Sequence, residues 1–393
     1  MRVTNAPMYR KYSTAVNDVH SKLNKAMNKI SSGAAYEAAA DNPLAYYQGK
    51  KMDHQYQDVE SKLQLMSDVQ NRIYQQELGA REIQSLLSKA KNSDIEYILN
   101  GTNNVDMTTV GTIQSSLLQK QQSMVNALNA QYENFYIYGG NDLSTAPFTM
   151  SGDGKTLTFS HQFPGEDQAT KIELVMGKIT KADGTEGYGF SVGNATDGDG
   201  NPLTQQQALE KIQKSMTERG YVDLGYGTID DKTTLLDTFT SGFSVLTGLS
   251  ADKAAALSDP NDPAVLETNL LDALNNSAVG LMGQALAATE TYLKDGDLEK
   301  FTGYLGGVMD EMTLTEDKIS NVYSDLGTKY SLIDTTEDRL KDIKYGLIEQ
   351  YKDKLGADPY ESIMEMFSFQ QSYNASLQLS SKLMEASLFN FIS

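Results

Sequence analysis

The sequence predicts a mainly α-helical protein with a β-rich insert. N- and C-terminal regions form a long antiparallel helical bundle and coiled coil, and a small β-containing domain occupies the middle. Three observations point to this. Near the start, Tyr9, Tyr12, Val16, Val19, Leu23, Ala26 and Ile30 recur at alternating spacings of three and four, the heptad seam of a coiled coil. At the end, Met366, Tyr373, Leu377, Met384, Leu388 and Phe391 make a second seam, and residues 366–381 carry no charge. A helix uncharged this far round is surrounded by other chains or buried in a core. Between about 142 and 231 the composition shifts to Gly, Thr and Asp with short alternating runs.

The first helix stops at Ser31-Ser32-Gly33, and after a small-residue stretch Asp41 or Asn42 can cap a helix whose first residue is Pro43. That second helix runs to about Asn100, with Val59, Leu63, Met66, Ile73, Ala80 and Leu87 on one stripe. A third, roughly 107–133, leads into the aromatic run Phe135-Tyr136-Ile137-Tyr138 and a turn at Gly139-Gly140-Asn141-Asp142. Strands are predicted at 155–159, 171–175 and 188–192, and a helix at 204–218. Helical periodicity returns near 230 and continues to the end, interrupted at 258–263, 295–296 and 356–359. Three parts follow: a terminal coiled-coil region (1–43 with 356–393), a helical bundle domain (44–141 with 297–355), and an insert (142–296) that is β-rich to about 231 and then helical.

Composition narrows the function. With 52 Asp+Glu against 33 Lys+Arg the formal charge is −19, which disfavours nucleic acid or an anionic membrane as a partner. The chain contains no Cys, which removes thiolate metal sites, disulfides and cysteine nucleophiles. Its three His, at 20, 54 and 161, have no metal-ligand spacing. The start, Met1 to Pro7, lacks an apolar signal region, and no run of about 20 apolar residues is present to span a membrane. Asp197-Gly198-Asp199-Gly200-Asn201 opens like a calcium loop, but Pro202 and Ala208 stand where that loop needs Gly and Glu, so a solvated turn is expected. The acidic pairs Asp310-Glu311 and Glu316-Asp317 read as solvated helix faces, since adjacent helical residues do not face one another. No P-loop, dinucleotide fingerprint or nucleophile elbow occurs. The expectation is a protein that is not an enzyme, with no catalytic, cofactor-binding or metal residues. Its function is assembly through the two seams, whose regions carry opposite charge: six Arg/Lys against two acids in 1–40, one Lys against four acids in 358–393. Ser31, Ser32, Gly33, Asp41, Asn42 and Pro43 are read as the connector between helical layers.

Particular motifs add a resemblance. Lys29-Ile30-Ser31-Ser32-Gly33 with Ala39-Ala40-Asp41-Asn42-Pro43 resembles the N-terminal signature of the bacterial flagellin family, and Leu388-Phe389-Asn390-Phe391-Ile392 resembles its C-terminal ending. Asn134 to Gly140 with Thr145-Ala146-Pro147-Phe148 is most similar to the hook-filament junction members of that family. Asp358-Pro359-Tyr360, Gln370-Gln371 and Ala375-Ser376-Leu377 extend the likeness. Pro359 is an insertion, and 252–295 is longer than the family pattern. The resemblance implies an extracellular structural subunit of the bacterial flagellum at the hook-filament junction, exported by the flagellar type III apparatus without a cleaved signal peptide. Its implied partners are further copies of itself in a ring, hook-associated protein 1, flagellin, and an export chaperone at the C-terminal helix. The alternatives are a filament flagellin and, from another class, a secreted effector or enzyme with its chemistry in the insert.

Overall fold

The computed structural model describes residues 6–36, 39–100, 105–180, 184–225, 235–259 and 262–392, with the side chains of 6–9, 263 and 380–392 outside the description. It is mainly α-helical with a small antiparallel sheet in the middle. Helix α1 spans Ala6–Ser32 and α2 Pro43–Lys89, followed by a π-helical turn, Ala90–Ile95, and the short α3, Glu96–Leu99. Helix α4 is Met107–Leu128. Strands β1 (Gln131–Tyr132), β2 (Phe135–Tyr136), β3 (Phe148–Met150), β4 (Thr156–His161), β5 (Thr170–Thr180) and β6 (Glu186–Thr196) precede α5 (Gln205–Met216), β7 (Tyr221–Asp223) and β8 (Leu235–Asp237). The chain continues through α6 (Gly242–Thr247), α7 (Ala251–Ala255), α8 (Pro263–Asn275), α9 (Ala278–Asp295), α10 (Leu298–Leu355) and α11 (Pro359–Ile392). Among the described residues no helix is long and apolar enough to cross a membrane.

Two compact units result, one of residues 1–65 with 337–393 and one of residues 66–336, so the division falls inside α2 and α10 rather than at the connectors. In both units these helices carry apolar residues every seventh position. Met52 and Val59 are buried in the first unit, as is Leu340; in the second, Met66, Ile73, Ala80 and Leu87 are buried on α2, and Met312, Ile319, Leu326 and Ile333 on α10. Strict seven-residue spacing keeps a seam facing its partner. Around it the helix flanks exchange polar contacts: Lys344 with Glu60 at 2.5 Å in the first unit, Lys91 with Glu316 at 2.5 Å in the second. Glu316 is thus an ion-paired, largely buried residue, where the sequence suggested a solvated face.

In the second unit β3 to β6 form a four-stranded antiparallel meander in sequence order, with an irregularity between Ile172 and Leu174. Alternation sends Leu157, Phe159, Ile172, Leu174, Met176 and Phe190 inward, where α5, α8 and α9 cover the sheet. The expected strands are all present and longer than the sequence indicated. Helix α5 starts at the Thr204 cap, whose side chain and Gln207 make a reciprocal capping box. Two predictions need correction. The helix expected to reach 133 ends at Leu128, because the chain reverses in a β1–β2 hairpin with Glu133 and Asn134 both at positive φ, 50° and 70°. The helical region expected from 230 begins only at Gly242, after β8 pairs with β7.

The end of the aromatic run docks on α2: the Tyr138 hydroxyl donates to the Gln76 carbonyl at 2.5 Å, and a Cβ on Gly79 would lie 2.6 Å from the Tyr138 hydroxyl oxygen. At the Asp197 turn, the carboxylate accepts from the Asp199 and Asn201 N–H groups at 3.1 and 2.7 Å and from the Asn201 amide at 3.1 Å. His161 and Glu218 form a buried pair at 3.0 Å between Phe159 and Phe163.

The outer edge of β6 is closed by side chains. Tyr188 N–H donates to the Tyr304 hydroxyl at 3.0 Å and Phe190 N–H to Asn275 Oδ1 at 2.6 Å, so the edge offers no free ladder there. Burial, partly offset by the Tyr188 N–H, pushes the Tyr304 phenol up to about 12. Its contribution to stability is therefore fully present below the ordinary tyrosine value of about 10 and is lost as pH rises through about 12. Tyr304→Phe should cost about 1–3 kcal/mol near pH 7 by orphaning the Tyr188 N–H, and should also reduce the loss of stability between pH 9 and 12. Thermal melts over that range check both; an unchanged alkaline slope would exclude Tyr304 as its source.

Candidate assembly surface

The first unit brings the two chain ends together. Helices α1 and α11 pack along each other. On α1, Tyr12, Val16, Val19 and Leu23 are half-buried and Ala26 is fully buried, while Ile30 at the end of the seam is 38% exposed. The side chain of Tyr9 lies outside the described residues. On α11 the facing positions are Ser362, Met366, Phe369, Tyr373 and Ser376, again at alternating spacings of four and three. Leu377, which the sequence placed on this seam, is instead 47% exposed. The side chains of Met384, Leu388 and Phe391 lie outside the described residues. The reason for the shift is that the stretch offers no charged residue to mark the outer face, and its Ser, Gln and Asn are spread round the helix, so 370 and 377 fit the heptad as well as 369 and 376 do. Polar contacts fix the phase: the Tyr12 hydroxyl donates to the Ser376 carbonyl, the His20 ring lies 5.4 Å from that of Tyr373, and Lys29 pairs with Glu365 at 3.2 Å.

The connectors are punctuated alike on both sides. Gly33, at φ +69°, ends α1 by donating its N–H to the Lys29 carbonyl at 2.9 Å. Ser31 and Ser32 both donate their hydroxyls to the Asn28 carbonyl. Asn42, not Asp41, caps α2: its Oδ1 accepts from Ala45 N–H at 3.2 Å, with Pro43 as the first helical residue. Asp41 is held by Lys25 at 2.8 Å. On the C-terminal side Asp358 caps α11 through Tyr360 N–H at 2.8 Å and Glu361 N–H at 3.2 Å, and Pro359 opens the helix. The inserted proline thus repeats the Asn42-Pro43 device. Between the caps the two connectors pair: Ala35 N–H donates to the Leu355 carbonyl at 2.7 Å and Ala357 N–H to the Gly33 carbonyl at 2.9 Å, around an antiparallel bridge of Ala34 with Gly356. Leu355 is buried against Gly49, where a Cβ would come within 2.5 Å of it.

Pairing leaves the outer face of α11 apolar. Tyr360 is 76% exposed, Ile363 40%, Met364 56% and Phe367 53%, at i, i+3, i+4 and i+7 of one helix. These four lay outside the sequence prediction, although their own spacing was the signal. Large apolar side chains grouped on one face mark an interaction site. Helix α1 exposes Arg10, Lys11, Lys22 and Lys25, and α11 exposes Glu361 beside the stripe. Chemically the surface can bury apolar area and match charge; among the described residues no group of acidic or histidine side chains could hold a metal ion.

Comparison with solved structures returns flagellar hook-associated proteins. One from Vibrio parahaemolyticus is 11% identical, with 80% of this chain and 100% of that one covered at a TM-score of 0.47. The Bacillus cereus FlgL is 14% identical, covering 77% and 99% at 0.41. Hook-associated protein 3 of Legionella pneumophila is 10% identical, covering 79% and 99% at 0.25. At these scores the likenesses add no argument of their own. No protein-family model and no curated protein matches the chain.

Proposed function

We propose that this chain is a structural, non-enzymatic subunit of the bacterial flagellum that forms the junction between hook and filament by self-association through its terminal helices. The observation that carries this is the unpartnered apolar stripe of α11, on a unit in which the two chain ends are already paired with each other. A two-helix pair with such narrow seams buries too little to use up its apolar residues, and the remainder needs other chains. The sequence signatures at both ends supply the flagellar context. In it the copies form a ring, with hook-associated protein 1 on the hook side and flagellin on the other, after type III export with a chaperone on the C-terminal helix.

Immunogold labelling of intact flagella tests the reading. A single spot at the hook end supports it, continuous decoration assigns the chain to the filament instead, and absence from the flagellum overturns both. In dilute monomer the terminal pair should be trimmed by protease well before the core of roughly residues 45–350, because its seam is mostly half-buried. Equal resistance of termini and core would show that the pair needs no neighbours.

A further inference from the structure

We propose that the α11 stripe of one copy seats in a specific cleft of the next copy, lined by Met52, Tyr56, Leu347, Ile348 and Tyr351. The inference rests on the self-association reading and names its contact. The cleft, about 370 Å³, opens between α2 and α10 beside the paired connectors. Met52 is buried at its floor, and the other four are half-buried, so apolar surface remains unfilled on its walls. An aromatic or thioether side chain is what such a wall accepts, and the stripe offers Tyr360, Met364 and Phe367.

Charge selects between modes of contact. Stripe against stripe, in a two-fold dimer, would bring the Glu361 carboxylates of the two copies together, with like charges opposed. Stripe against cleft brings Glu361 toward Lys352, which is exposed on the rim, while the rim's Asp53 is taken up by Lys50 at 3.6 Å. Because stripe and cleft are different surfaces, each bound pair still has one of each free, and addition continues into a ring or filament instead of stopping at a pair. One helix face buries less than the roughly 1,200 Å² of a stable interface, so the contact is weak singly and needs repetition.

The absence of native cysteine makes cross-linking clean. Phe367→Cys and Ile348→Cys chains, each confirmed to melt like the parent, are mixed at high concentration and oxidised. A mixed disulfide dimer several-fold more abundant in the mixture than in either variant alone is expected. Lys352→Glu should weaken sedimentation-detected association by roughly fivefold, and adding Glu361→Lys in the same chain should restore it. Self-linking of Phe367→Cys without the mixed product would mean stripe meets stripe, overturning this contact while self-association stands. If the mixture yields no more than the single variants, the cleft is not the occupant's site; if the parent is also monomeric at every concentration, self-association falls with it.

Discussion

Phe367→Glu is expected to abolish self-association while leaving the melting temperature of the monomer within about a degree of the parent. Phe367 is 53% exposed and takes no part in the seam between α1 and α11, so the monomer has little to lose from a charge there. Buried against a neighbour, the same unpaired carboxylate should cost about 3–5 kcal/mol for each contact it enters. Sedimentation velocity over a concentration series, paired with calorimetry, reads both quantities. Phe369→Glu is the contrasting change: two positions away but on the seam, it should destabilise the terminal unit itself. If Phe367→Glu lowers the melting temperature by several degrees, or leaves association intact, the stripe is not the contact surface.

Asp142→Ala should have the largest effect on stability, about 3–5 kcal/mol. The Asp142 carboxylate lies at the end of the Gly139-Gly140-Asn141-Asp142 turn and is nearly inaccessible. Oδ1 accepts from Ser144 N–H, the Ser144 hydroxyl and Thr145 N–H at 3.0–3.1 Å, and Oδ2 accepts from Gln162 N–H at 2.8 Å. Alanine strands three backbone donors at once. Burial pushes this carboxyl up, but the hydrogen bonds from Thr145, Gln162 and Ser144 outweigh it and hold it below the usual carboxylate range. The stability it confers is therefore fully present above the ordinary value of about 4 and is lost as pH falls through its lower folded value. Urea titrations at neutral pH and between pH 5 and 2 check both expectations. A variant with unchanged midpoint, or one that keeps the parent's full acid dependence, would remove Asp142 from this role.

What the sequence disclosed was local. Heptad spacing on α2, the Asn42-Pro43 cap, the helix beginning near Thr204 and the alternating runs of β4 to β6 are each written in one continuous stretch of chain, and each appears in the fold. The misplacements have physical causes of two kinds. At Glu133 and Asn134 the left-handed turn lacks the glycine that normally advertises it, so the helical pattern of α4 seemed to run on. In α11 the absence of charge left the rotation of the helix undetermined by one position, which put Leu377 inside and Phe369 out of account. The connector ladder and the cleft could not be read at all, since each depends on residues from opposite ends of the chain.

That ladder also sets a clock. Tyr12 and its acceptor Ser376 are 364 residues apart, and Gly33 and Ala35 likewise find their backbone partners only at Ala357 and Leu355. At roughly 5–20 residues per second of synthesis, α1 has no partner for on the order of tens of seconds, while residues 66–336 are already available to fold as a unit. Closing so long a loop is slow but, once the intervening chain is compact, adds only a logarithmic entropy cost. The terminal unit is thus completed last. A chain cut short before α11 lacks both the helix that packs on α1 and the stripe, so only a chain completed through α11 can present the surface by which it would join others.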